Sequence, residues 1–152
     1  MRPDKRYVIQ SVALQFAELS TCSQRAKVGA VLFDNSFRIV ATGYNGSPQG
    51  MEHCDDVGCV LDESGSCIVA VHAEVNAILQ CAMYGISTNG LNLYTTFSPC
   101  NRCAMIIIRA GIKYVAYGMP YLKGTIADKS FSDAGILVQQ WRTDDTNLRI
   151  RV

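Results

Sequence analysis

Hydrophobic and polar positions follow two different periods along the chain. Three stretches have helical spacing and predict amphipathic helices: 4–20, 73–83 and 98–110. A shorter, polar helix is expected within 128–134. Five short apolar runs predict strands: 28–33, 38–44, 91–96, 114–117 and 136–141. Because helices alternate with strands, the pattern predicts a layered α/β domain with a largely buried central sheet, a single domain over 1–152.

Two helices allow sharper expectations. The large apolar residues of the second helix are expected on its buried side: Val75, Ile78, Leu79 and Ala82. In the third helix, Ser98 suits the N-cap, Pro99 suits the first turn, and Gly111 marks the end. In the first helix, Asp4 is a plausible cap.

The segment 45–66 lacks any periodicity and is rich in Gly, Asp, Ser, Asn and Cys. It is long for a loop of a compact domain. We therefore expect it to be functional, or to be held by something other than packing.

Composition narrows the class of protein. The chain has 152 residues, 49% hydrophobic and 18% charged, with a net charge of +1, which is typical of a globular protein and argues against a nucleic-acid partner. No signal-peptide core and no apolar run of about 18 residues is found, so a cytoplasmic protein without a membrane partner is expected. In a reducing compartment, seven cysteines favour metal ligands or core residues over disulfides.

Two short motifs carry the candidate chemistry: His72-Ala-Glu74 and the segment 98–103, which contains Cys100 and Cys103. Two thiolates and one neutral imidazole neutralise Zn²⁺ and leave a fourth position for water, which is the pattern of a catalytic zinc. Glu74 would lie beside the metal and move protons as the catalytic acid–base group.

His-x-Glu followed by Pro-Cys-x-x-Cys is the signature of zinc nucleobase deaminases. A structural zinc or a redox Cys-x-x-Cys is the alternative, but neither gives Glu74 a role. A non-catalytic zinc-binding module therefore stays open as an alternative function.

The chain resembles the cytidine deaminase superfamily and, within it, the deoxycytidylate (dCMP) deaminases. The matching stretches are 27–30, 43–48, 72–78, 98–103 and 110–113. The resemblance implies a three-layer α/β/α fold with a central mixed sheet of about five strands. It also implies hydrolysis of dCMP to dUMP and ammonia, which supplies dUMP for dTMP synthesis. A related cytosine nucleoside, nucleotide or RNA base is the alternative substrate.

The resemblance extends to residues that would bind the nucleotide. Asn45 matches an asparagine that bonds the sugar, although Asn-Gly is also a strong turn pair. Tyr121 matches a tyrosine near the deoxynucleotide, with a plain loop aromatic as the alternative. From their position, Arg25 and Lys27 could meet the phosphate, or form a solvated charge pair; Lys123 is a weaker candidate.

Four further cysteines form a second candidate set: Cys22, Cys54, Cys59 and Cys67. A tetrahedral structural zinc would hold the long loop against the end of the first helix, with His53 as a possible substitute for one sulfur. Four reduced thiols are the alternative. Cys81 is expected to be a small core residue.

Family resemblance further implies a homohexamer regulated by nucleoside triphosphates. dCTP would activate and dTTP would inhibit, with Mg²⁺ accompanying the triphosphate. The residues associated with this regulation are Gly43, Tyr44 and Gly46.

Overall fold

The computed structural model describes residues 2–24, 26–120 and 126–142. Its elements in chain order are helix α1 (Lys5–Ala17), strands β1 (Gly29–Phe33) and β2 (Ile39–Tyr44), helices α2 (Cys54–Val57) and α3 (Ala73–Met83), strand β3 (Asn92–Phe97), helix α4 (Asn101–Arg109), strand β4 (Tyr114–Met119), helix α5 (Ile126–Asp133) and strand β5 (Leu137–Gln140).

The five strands form one mixed sheet in the order β2-β1-β3-β4-β5. Strand β1 is antiparallel to both of its neighbours, whereas β3, β4 and β5 run parallel. All five residues of β1 are buried, as expected for a strand inside the sheet that is covered on both faces. The mixed five-stranded sheet predicted from the sequence is confirmed.

Alternation along β1 separates the two faces of the sheet. Val31 and Phe33 pack with Ile9 and Ala13 of α1, so α1 covers one face. The opposite face, which carries Leu32, packs against apolar residues of α3, α4 and α5. The chain is therefore a three-layer α/β/α structure, as the resemblance implied.

Helix α3 lies so close to β2 that only small residues fit between them. A Cβ on Gly43 would lie 2.2 Å from the carbonyl oxygen of Ala73 and 2.6 Å from the amide nitrogen of Ala77. The expected buried side of this helix is consequently wrong. Its buried residues are Ala73, Glu74, Ala77 and Cys81, whereas Val75 and Ile78 are half-buried and Leu79 and Ala82 are exposed.

Helix α4 begins later than predicted. Cys100, and not Ser98, occupies the N-cap position. The backbone amide of Ser98 donates to the carbonyl oxygen of Met119 at 2.9 Å, so Ser98 continues the pairing of β3 with β4, and the helix begins only at Asn101. The expected end is correct, because Gly111 follows the C-cap with a φ of 77°.

The long segment after β2 contains one turn of helix, α2, which no periodicity could predict. Around it lie two isolated antiparallel bridges, Gly46 with Val71 and Leu61 with Cys67. The second bridge makes 59–68 a small hairpin. Within the described residues, no helix has both the length and the hydrophobicity needed to cross a bilayer.

Candidate metal centres and pocket

The residues immediately before α3 and α4 bring the first metal ligands together. His72 and Cys100 are the N-caps of these helices and have extended backbones. Cys103 follows one turn into α4. The Nδ1 atom of His72 lies 3.6 Å from the sulfur of Cys100 and 3.3 Å from the sulfur of Cys103. The structure therefore brings together the three ligands that the sequence predicted.

These distances suit a tetrahedral zinc ion. With Zn–N of about 2.05 Å and Zn–S of about 2.3 Å, tetrahedral angles place the nitrogen and sulfur ligands about 3.5 Å apart. Cys103 is buried, Cys100 is partly exposed and His72 is exposed, so the group is open on one side. Three ligands on a site with an open side leave room for water or substrate.

Glu74 reaches the same site from the first turn of α3. Only 4% of its surface is exposed, and its Oε2 atom lies 3.8 Å from the sulfur of Cys103. Two residues apart on a regular helix, His72 and Glu74 would point in different directions. They converge because His72 lies outside the helix, in extended backbone.

The charges of this cluster are coupled. The pKa of Cys100 is lowered to about 3 because the Cys103 thiol hydrogen-bonds to its thiolate. The same hydrogen bond raises the pKa of Cys103, with burial and Glu74 adding to it. The pKa of His72 is raised chiefly by its bond to Cys100, and burial raises the pKa of Glu74. The lowered pKa favours the thiolate form of Cys100, which is the form that binds metals.

A pocket opens above Glu74 and encloses about 110 Å³. One side consists of the first metal cluster, through His72, Glu74 and Cys100. The rest of the lining comes from the loops before β1 and before α3, from Asn45, from the first residue of α3, and from the end of β3 with the residue after it. These residues are Cys22, Ala26, Val28, Asn45, Ser66, Cys67, Ala70, Ala73, Phe97 and Ser98.

The four remaining candidate ligands also come together. The sulfur atoms of Cys22, Cys54, Cys59 and Cys67 all lie within 4.8 Å of one another. Cys22 and Cys59 are 3.5 Å apart, and Cys54 and Cys67 are 3.7 Å apart. Sulfurs on a tetrahedral zinc are separated by about 3.8 Å, so this set fits a closed, four-ligand structural site.

The expected substitute ligand, His53, is not needed. It caps α2, and its exposed ring lies 3.8 Å from the carboxylate of Asp56. The metal-ligand group that contains its neighbour Cys54 is complete with four sulfurs.

Hydrogen bonds hold the second cluster near α1. The carboxylate of Asp55 accepts from the backbone amide and the hydroxyl of Ser23, at 2.8 and 2.9 Å. Burial raises the pKa of Cys22. Burial acts on Cys67 as well, but hydrogen bonds from the backbone amides of Ala70 and Val69 and from the side chains of Cys54 and Cys22 together outweigh it and lower its pKa to about 7.

The predicted nucleotide-binding residues have different outcomes. Asn45 lines the pocket, but its amide is used internally. Its Oδ1 accepts from the amide of Val28 at 2.8 Å, and its Nδ2 donates to the carbonyls of Cys22 and Ala26 at 3.3 and 2.9 Å. This is neither a simple turn nor a free amide.

Of the other residues predicted to bind the nucleotide, only Lys27 is among the described residues. Lys27 pairs with Glu18 at 2.8 Å on the surface, which matches the solvated charge pair considered as its alternative. Arg25, Tyr121 and Lys123 lie outside the described residues.

The residues predicted to take part in regulation, Gly43 and Tyr44 at the end of β2 and Gly46 just after it, make packing contacts and hydrogen bonds. A Cβ on Gly46 would lie 2.3 Å from Thr21 Oγ1, and the carbonyl of Tyr44 accepts from Asn76 Nδ2 at 2.7 Å. With the close approach of Gly43 to α3, contacts account for all three residues. Their regulatory role stays a prediction.

Sequence reasoning missed Arg102. It lies between the two cysteines of the first cluster, and its side chain is exposed. Its positive charge slightly opposes the rise that Cys100 causes in the pKa of His72, and adds slightly to the lowering that Ser64 and Ser66 cause in the pKa of Asp62. Arg102 is therefore within electrostatic range of the metal ligands and of the hairpin 59–68. An arginine inside the Cys-x-x-Cys motif was the signal available.

Two cysteines and one histidine at the starts of neighbouring helices, beside a buried carboxylate that lines a pocket, are the arrangement of zinc-binding deaminase domains. Residues 2–119 match the sequence profile of the cytidine and deoxycytidylate deaminase zinc-binding region. The chain therefore belongs to the cytidine and deoxycytidylate deaminase family.

Individual relatives agree with this family. ComE operon protein 2 of Bacillus subtilis is 43% identical over 126 residues, covering 83% of this chain and 65% of that protein. Deoxycytidylate deaminase of Saccharomyces cerevisiae is 33% identical over 147 residues, covering 93% of this chain and 46% of that protein. The chain thus spans between about half and two thirds of the length of these relatives.

The fold of this chain is similar to that of a solved structure. The dCMP deaminase of cyanophage S-TIM5, in complex with dCMP and dUMP, is 34% identical with a TM-score of 0.78. The match covers 93% of this chain and 99% of that chain.

Proposed function

We propose that this chain is a zinc-dependent enzyme that hydrolyses dCMP to dUMP and ammonia. The observation that carries the proposal is Glu74, a buried carboxylate that contacts a three-ligand metal site and lines the pocket. A purely structural zinc has no use for such a group. The deoxycytidylate deaminases among the relatives, and the dCMP bound by the cyanophage enzyme, support the choice of substrate.

His72, Cys100 and Cys103 would hold the catalytic ion. When bound, zinc acts as a Lewis acid that lowers the pKa of water to about 7. Glu74 would accept one proton from the attacking water as the water oxygen bonds to C4 of the cytosine, and deliver that proton to N3. It would then take the second proton from the new C4 hydroxyl and pass it to the amine, so that C4=O forms, the C4–N bond breaks and ammonia leaves.

The second set of cysteines would hold a structural zinc. Its support is the close approach of four sulfurs from three separate parts of the chain, at distances that match a tetrahedral ion. Cys22 precedes β1, Cys54 begins α2, and Cys59 and Cys67 lie on the hairpin 59–68. A bound ion would join these three parts, so its binding energy would add to folding.

The finer parts of the proposal have support from family resemblance. They are a single domain over 1–152 acting in the cytosol, a homohexamer, and activation by dCTP with inhibition by dTTP in the presence of Mg²⁺. Supply of dUMP for dTMP synthesis follows from the same resemblance. For substrate binding, Asn45 has additional support from its place in the pocket wall, while Arg25, Tyr121 and Lys27 have sequence support alone.

An absorbance assay of cytosine loss tests the proposal directly. The zinc-loaded protein is given dCMP, CMP, deoxycytidine and dCTP at equal concentrations, and kcat/KM is compared. We expect dCMP to rank first. A higher rate with deoxycytidine or CMP would assign a different cytosine substrate, and no turnover of any of the four would favour a non-catalytic zinc-binding module.

A further inference from the structure

The second cysteine cluster and the pocket share residues. Cys22 and Cys67 each contribute a sulfur to the cluster and also line the pocket. Ala26 and Val28, which follow Cys22 in the chain, and Ser66, which precedes Cys67, also line the pocket. This part of the pocket wall is therefore made from the loops that the cluster joins.

The hairpin 59–68 has little else to hold it in place. Its large apolar residues Val60, Leu61 and Ile68 are 54%, 53% and 58% exposed, so burial contributes little. The hydrogen bonds at its tip are local, since Asp62 accepts from the backbone amides of Ser64 and Ser66. Its sulfurs, in contrast, meet Cys22 and Cys54, which belong to other parts of the chain.

The other wall segment is tied to the cluster in a second way. The side-chain amide of Asn45 donates to the carbonyls of Cys22 and Ala26 and accepts from the backbone amide of Val28, which holds these three residues in place at the pocket. A displacement of Cys22 would therefore be passed to Asn45, itself part of the lining.

We propose that the cluster of Cys22, Cys54, Cys59 and Cys67 is a positioning centre for the nucleotide pocket. Metal bound there fixes the wall formed by 22–28 and 66–70 at its distance from Glu74. It sets how tightly the nucleotide is bound and leaves the chemical step unchanged. This inference rests on the proposed deaminase function for its kinetic readout.

Cys59 is the residue with which to test this, because it is a candidate ligand that does not line the pocket. Cys59→Ser removes one ligand, while Cys59→His replaces sulfur with another good zinc ligand and serves as the conservative rescue. Cys81→Ala is the matched control, since it removes a buried thiol that belongs to neither metal cluster.

Three measurements are made on the full chain: zinc per chain, steady-state kinetics with dCMP to obtain kcat and KM, and amide hydrogen exchange. For Cys59→Ser we expect one zinc in place of two and a KM raised about tenfold or more, with kcat within about twofold of the parent value. Exchange should become faster in 22–28 and 59–70 and stay unchanged in α4. Cys59→His should have the zinc content, the KM and the exchange rates of the parent, and Cys81→Ala should match the parent in zinc content and KM.

Loss of the second zinc with an unchanged KM would overturn the proposal, as would a fall in kcat alone. Should Cys59→Ser fail to fold, Cys59→Asp provides a weaker oxygen ligand. Its KM should then fall as zinc is added, and a KM independent of zinc would equally overturn the inference. If the parent protein does not turn over dCMP, the proposed function fails, while the exchange of 22–28 still decides whether the cluster positions the wall.

Discussion

Glu74 is the residue on which the chemistry depends. Its burial in the first turn of α3 excludes water from most of the carboxylate, and its approach to Cys103 places it beside the metal ligands. The carboxylate is therefore positioned to exchange protons with whatever occupies the open side of the site.

Replacement of Glu74 separates proton transfer from metal binding. Glu74→Gln keeps the shape of the side chain but removes its capacity to carry a proton. We expect kcat for dCMP to fall by about 10²- to 10⁴-fold, the usual contribution of general acid–base catalysis. Zinc content, measured by metal analysis, should not change. Full activity of the variant would contradict the role assigned to Glu74.

Arg102 and Lys27 offer a comparison of two cations for the substrate phosphate. Arg102 lies near His72, whereas Lys27 is paired with Glu18 on the surface. We expect Arg102→Ala to raise KM for dCMP by about tenfold or more, as for a lost hydrogen bond to a charged group. KM for deoxycytidine, which has no phosphate, should change little.

Lys27→Ala is the matched control for Arg102. An exposed ion pair contributes about 0–1 kcal/mol, so this variant should keep KM for dCMP within a few-fold of the parent. A larger effect of Lys27→Ala than of Arg102→Ala would assign the phosphate to Lys27.

At the scale of elements, the contact between α3 and β2 decides how His72 and Glu74 are presented. The helix can approach the strand because Gly43 has no side chain and because Ala73 and Ala77 are small. Any added volume at this contact would move the start of α3, where both site residues lie.

Gly43→Ala tests this contact. The new Cβ would meet backbone atoms of α3, which cannot rotate away, so we expect a loss of about 1–3 kcal/mol or more in the free energy of unfolding. Urea denaturation of the zinc-loaded protein measures it. Leu79→Ala, on the side of α3 that is 47% exposed, is the comparison and should cost much less. Equal losses would show that the contact is loose.

The start of α1 provides a pH-dependent element. Asp4 accepts from the backbone amide of Arg6 at 2.8 Å, and its pKa is lowered chiefly by hydrogen bonds with the Arg6 side chain and backbone. A lowered pKa means that the ionised form is favoured by folding. The stabilisation is therefore present above the ordinary pKa of 3.8 and is lost as the pH falls through the lower native value.

Asp4→Ala should accordingly reduce the free energy of unfolding by about 0.5–2 kcal/mol at pH 7, the usual cost of losing an N-cap. The difference from the parent should shrink as the pH falls below 3.8. Urea denaturation at pH 7 and at acid pH measures both values. A difference that is constant with pH would exclude a contribution from the charge of Asp4.

At the scale of the whole molecule, two clusters of metal ligands join loops that the sheet alone does not hold. The first joins the starts of α3 and α4, and the second joins the α1–β1 connection to α2 and the hairpin 59–68. Metal binding should therefore stabilise the folded chain over the unfolded one.

Metal removal tests this stabilisation. We expect two zinc ions per chain by metal analysis and a Tm that falls when a strong chelator removes them. Restored zinc should return the Tm, while Mg²⁺ should not, because thiolates are poor ligands for it. A structural role for the second cluster would be contradicted if metal analysis finds one zinc per chain and if removal of that zinc by the chelator leaves the Tm unaltered.

Much of the architecture could be predicted from local patterns. The positions of the five strands and the extent of α3 follow from short-range periodicity and turn residues. The mixed arrangement of the strands was implied by the family resemblance. The buried face of α3 could not be predicted, because it depends on how closely β2 approaches. The start of α4 also differed, since Ser98 is still paired with β4, a strand that comes later in the chain.

The residue types and spacing of His72, Glu74, Cys100 and Cys103 already indicated one metal site and its acid–base partner, because metal and proton chemistry restrict the side chains that can perform it. Assembly of the four distant cysteines, the internal use of the Asn45 amide and the closeness of Arg102 to the site required the folded chain. Each depends on contacts between segments far apart in sequence, and those distances are set by the packing of helices on the sheet.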